Sequence, residues 1–62
     1  MNNQEKAFIY DQCLRDSDKL QRENSKLKSE YSGNIPNNIQ KIIDANNTKI
    51  ALLVVKLENL FR

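Results

Sequence analysis

The side chains that could do chemistry are few: one thiol at Cys13, carboxylates at Asp11, Asp16 and Asp18, a further pair at Glu23 and Glu30, and two phenols, Tyr10 and Tyr31. A reactive thiol needs an electropositive, accessible setting that favours the thiolate. Cys13 has Asp11 and Asp16 close by in sequence instead, so it reads as a small core residue. The three aspartates lack the spacing and the glycine turn of a calcium loop and are expected to be solvated. Glu23 and Glu30 lie a heptad apart on one helix with no cleft between them, whereas acid–base catalysis needs groups that converge in a pocket. With no histidine and a single cysteine, one chain assembles neither a structural zinc site nor an internal disulfide. The expectation is a chain that is not an enzyme, with no catalytic residue, metal or cofactor.

The elements that carry these residues read as two helices. A first helix can start at Asn2, with Glu5 three positions on as the partner in a capping box. From Tyr10 a heptad follows, with Tyr10, Ser17, Asn24 and Tyr31 at a and Cys13, Leu20 and Leu27 at d. Ser32-Gly33-Asn34-Ile35-Pro36 breaks it: Gly33 can take the left-handed conformation that closes a helix, and Pro36 cannot continue one. Asn37 then caps a second helix, with Gln40 as its reciprocal partner. The second seam runs through Ile39, Ile43, Asn46, Ile50, Leu53, Leu57 and Leu60. Asp44 to Thr48 is weak helix-forming sequence where a kink or break is conceivable. The heptad crosses it without a change of phase, which favours one continuous helix. The reading is all-α, an antiparallel coiled-coil-like hairpin over residues 1–62, with helices at about 3–31 and 37–61 joined by a turn at 32–36.

Folded about residue 35, the two seams mirror each other. Tyr31 faces Ile39, Leu27 faces Ile43, Leu20 faces Ile50, Ser17 faces Leu53, Cys13 faces Leu57 and Tyr10 faces Leu60. The one asparagine in each seam meets the other, Asn24 against Asn46. A core asparagine costs stability and fixes register, because a slip leaves an amide unpaired against an aliphatic neighbour. These two are the expected register pin, although nine asparagines in the chain make chance placement a real alternative.

Residues 20–31, Leu-Gln-Arg-Glu-Asn-Ser-Lys-Leu-Lys-Ser-Glu-Tyr, resemble a stretch of a parallel leucine zipper, with asparagine at a and leucine at d. The residues before it include Asp11, Asp16 and Asp18 where the zipper transcription factors carry a basic region, so the resemblance does not extend to DNA binding. The length and hairpin outline, with the opening Gln4-Glu5-Lys6, are similar to the small plasmid copy-control hairpins of the Rop type. That similarity is one of architecture and carries no residue role across.

Composition narrows the function further. The net charge is +2, and residues 1–31 hold six basic and six acidic side chains that alternate, as on a solvated face. Binding to nucleic acid through counterion release needs a basic stripe, and none is present. The first fifteen residues carry Glu5, Asp11 and Arg15 and no apolar core, unlike a signal peptide. The apolar run from Ile50 stops at Lys56, and a twelve-residue helix reaches only about 18 Å of a hydrocarbon core of about 30 Å. No membrane span is expected. The lone cysteine favours an intracellular and cytoplasmic setting, with a nuclear one left open.

The strongest signal lies at the end of the chain. Nine of the twelve residues from Ile50 to Phe61 are hydrophobic, and they run round most of the helix rather than along one stripe. A helix apolar on all sides must be covered on several sides, and one neighbouring helix covers one. At 62 residues the chain is also small enough to need a staple or a partner. The side chains expected to meet a partner are Phe8, Ile9, Leu14, Ile42, Leu52, Val54, Val55 and Phe61. The expected function is protein–protein interaction, by a small subunit, adaptor or inhibitor that forms a homodimeric four-helix bundle or joins a hetero-oligomeric coiled-coil complex. The competing reading is a small RNA- or DNA-binding regulatory hairpin of plasmid or phage type.

Overall fold

The computed structural model describes residues 2–61. They form two helices that pack along each other as a hairpin: α1, Asn3–Glu30, and α2, Asn37–Leu60. Asn2 caps α1, its side-chain oxygen accepting the Glu5 N–H at 2.8 Å while its carbonyl accepts the Lys6 N–H at 3.1 Å. Asp11–Arg15 and Asp18–Arg22, each four residues apart with the acid first, form ion pairs at 2.9 and 2.8 Å along the exposed side of α1. That order of charges suits the helix dipole.

The connection differs from expectation in two places. Gly33 does not take the left-handed conformation, since no described glycine has a positive φ. The helix instead ends through Tyr31, at φ −115° and ψ 36°, whose N–H returns to the Leu27 carbonyl at 3.0 Å. Its carbonyl accepts the Asn34 N–H at 3.1 Å, closing a turn that needs no special residue. The second correction concerns Asn37, which does not cap α2. The cap position is Pro36, whose φ of −61° and ψ of 153° already give the extended geometry of a cap. Its carbonyl takes the N–H groups of Ile39 and Gln40 at 3.0 and 2.9 Å. Gln40 is thereby released to donate to Asp44 at 2.9 Å.

α2 runs unbroken through the weak stretch at Asp44–Thr48. Asparagine usually disfavours a helix interior because its amide competes for nearby backbone. Here the Asn46 and Asn47 amides are engaged by α1 instead, and Thr48 donates to the Asp44 carbonyl at 3.1 Å.

The core is a single seam. Cys13, Asn24, Ile43, Asn46 and Leu60 are buried, and Ser17, Leu20, Leu27, Ile39, Ile50, Leu53 and Leu57 are half-buried. Tyr10 departs from this pattern, being 42% exposed, while Lys6 and Ile9 are half-buried. At this end Tyr10 packs edge-on against Phe61, with ring centroids 5.8 Å apart.

Candidate functional site

Two groups of side chains stand apart from ordinary seam packing. The first is the polar layer midway along the hairpin. Asn24 comes from α1 and Asn46 from α2, at the level that the mirrored heptads assign. The Asn46 amide donates to the Asn24 oxygen at 2.9 Å and also to a Glu23 carboxylate oxygen at 3.0 Å. The Asn24 amide in turn donates to the Asn47 oxygen at 2.9 Å. The sequence pattern identified the central pair but not its flanks. Glu23 and Asn47 sit one residue to either side of the seam, and the helical repeat alone gives no reason to pick them out. Among the described residues no buried side-chain nitrogen or oxygen lacks a hydrogen-bond partner.

Both Asn46 amide protons and one of Asn24 are taken by neighbouring oxygens, one of them on the Glu23 carboxylate. Sliding the helices by one turn would set the two buried amides against aliphatic seam residues and strand them, at about 1–3 kcal/mol each. Cys13 lies elsewhere on the seam, buried as a small core residue. No group of three or more His, Cys, Asp and Glu side chains among the described residues is placed to hold a metal ion.

The second group is the apolar surface at the open end. Phe8, Phe61 and Leu52 are 71%, 65% and 64% exposed. Leu14, Ile42, Val54 and Val55 are also exposed, whereas Ile9 is half-buried at the seam edge. They do not form one patch. Ile9, Leu52 and Val55 line a hollow with Leu60 on one side of the hairpin. Phe61 packs edge-on against Tyr10, with ring centroids 5.8 Å apart and planes at 72°, and the two rings line another hollow with Ala7. Ile42 lies toward the turn. Apart from Ile9, the eight residues share exposure rather than a common face.

Comparison of this chain with known protein families, curated proteins and solved structures gives no match. The site is therefore read from its own geometry.

A groove of about 580 Å3 runs along one face, where the two helices meet. Its floor includes the half-buried Leu20 and Leu53, with Leu52 at its edge. Asp16, Lys19 and Glu23 stand on the α1 rim, and Lys49 and Lys56 on the α2 rim. No helix among the described residues is long and apolar enough to cross a membrane.

Proposed function

We propose that this chain is a protein–protein interaction module, a helical hairpin that becomes part of a larger helical bundle by covering its open end and the outward side of α2. One observation carries the reading: seven large apolar side chains, Phe8, Leu14, Ile42, Leu52, Val54, Val55 and Phe61, are exposed, while the fully buried apolar core is only Cys13, Ile43 and Leu60. Covering a large apolar side chain is worth roughly 1.5–3 kcal/mol. Each of the seven is 41% to 71% exposed, so a large share of that stabilisation is left unused on the surface. Where they cluster, as Leu52 and Val55 do beside Ile9 and Leu60, contiguous exposed apolar surface of this kind marks association sites. The polar middle layer complements them by setting how the two helices line up before anything docks.

Light scattering from the purified chain tests the proposal. A dimer or larger species, or a chain that is unfolded until a partner is added, is the expected result. A well-folded monomer at about 100 μM would overturn it, since an affinity weaker than that is worth less than about 5.5 kcal/mol.

A further inference from the structure

We infer that the grooved face docks a second copy of this chain, related by a two-fold axis running along the hairpin so that both turns lie at the same end. The inference rests on the interaction reading above and assigns it one partner and one face, which of the seven exposed apolar side chains includes Leu52.

The sign of the charges on the two rims carries it. On α1 the rim holds Asp16 and Glu23, seven residues apart. On α2 it holds Lys49 and Lys56, also seven apart. Each pair occupies the position just outside its own seam, one residue before Ser17, Asn24, Ile50 and Leu57 in turn. Lys19 stands on the acidic rim as well, three residues from Asp16 and four from Glu23, and weakens its sign without reversing it. Among the described residues the ion pairs are Asp11–Arg15 and Asp18–Arg22. Glu23 accepts a hydrogen bond from Asn46 across the helices, but among the described residues no rim carboxylate is ion-paired with a rim lysine, and the rims flank the leucines of the floor.

The register of the hairpin sets the heights of these charges. With Asn24 level with Asn46, Lys56 lies within two residues of the level of Asp16, and Lys49 within two residues of the level of Glu23. Two residues are about 3 Å of helix. A two-fold axis parallel to the helices preserves height and exchanges sides. It lays α1 of one copy over α2 of the other, so that Asp16 and Glu23 meet Lys56 and Lys49 of the second copy, twice per dimer. An axis running across the helices would lay α1 on α1 and α2 on α2, acid against acid and base against base, which is costly. A face of 47 by 15 Å outlines about 700 Å2, close to the roughly 800 Å2 per partner of a standard interface. Closed two-fold pairing is also the commonest way for a small chain to complete its core.

Charge reversal tests this. Lys49→Glu with Lys56→Glu makes both rims acidic. Asp16→Lys with Glu23→Gln makes the α1 rim basic while keeping an oxygen to accept from Asn46. Each double variant alone should associate at least about tenfold more weakly than the parent at low salt, as read by sedimentation equilibrium. An equimolar mixture of the two should recover a heterodimer, because each restores the rim that the other lacks. Circular dichroism on the mixture shows whether helicity returns with it, which covers the case in which a variant alone unfolds. If each variant dimerises as tightly as the parent, or mixing restores nothing, the grooved face is not the interface and this inference fails while the interaction reading stands. A folded monomeric parent would overturn both.

Discussion

Midway along the hairpin, Glu23, Asn24, Asn46 and Asn47 close on one another so that every buried polar atom has a partner. About 20 Å away along the helices, at the open end, Phe8 and Phe61 are each well over half exposed, as is Leu52 partway there. The first region buries amides where two leucines would bury more apolar surface. The second leaves large apolar side chains exposed. On the proposed function, register and cohesion are encoded separately: the middle would set how α1 and α2 meet, and the open end would supply the drive to assemble.

The most severe way to break the comparison is to place charge in the seam near the open end. Leu53→Asp with Leu57→Asp should remove the folded assembly altogether, because each unpaired buried carboxylate costs several kcal/mol. Loss of the helical circular dichroism signal would show it. A milder change separates cohesion from hairpin formation. Leu52→Glu with Phe61→Glu alters side chains that are mostly exposed in the single chain. Association should weaken by about 100-fold or more, corresponding to about 3 kcal/mol, as measured by sedimentation equilibrium.

The polar layer should respond in the opposite manner. Asn46→Leu strands the oxygen of Asn24 and should cost about 1–3 kcal/mol in denaturant unfolding. Adding Asn24→Leu should recover that loss or more while broadening the distribution of oligomeric states, because the register device is gone. A double variant as unstable as the single one would mean that the pair has no alignment role. The smallest effect belongs to the turn. Gly33 has no positive φ, and nothing lies within 4 Å of an added Cβ. Gly33→Ala should therefore stabilise the chain by about 0.4–1 kcal/mol through the unfolded state, visible as a raised melting temperature.

Much of the hairpin was legible in the sequence because apolar periodicity and a Gly-Pro break are local signals of long range. The Asn24–Asn46 pairing followed from mirroring two heptads about the turn, and the structure joins those amides directly. What escaped were features set by geometry that the repeat does not encode. Glu23 and Asn47 enter the polar layer because a side chain one residue off the seam still reaches across it. Tyr10 is exposed where the heptad placed it in the seam, its ring packed edge-on against Phe61. Pro36 displaced Asn37 as the cap because its ring fixes the required backbone before any side-chain bond is needed. The division of the exposed apolar residues between different faces was also hidden, since sequence gives exposure through surplus and direction only through packing.

The most direct measurement is the thermal unfolding of the purified chain by circular dichroism at several concentrations from about 5 to 500 μM. If the hairpin completes its fold with a second copy, the melting temperature rises with concentration, as mass action requires. A cooperative transition at one temperature across that range, from a species that sediments as a monomer, would contradict the claim that these two helices cannot stand alone.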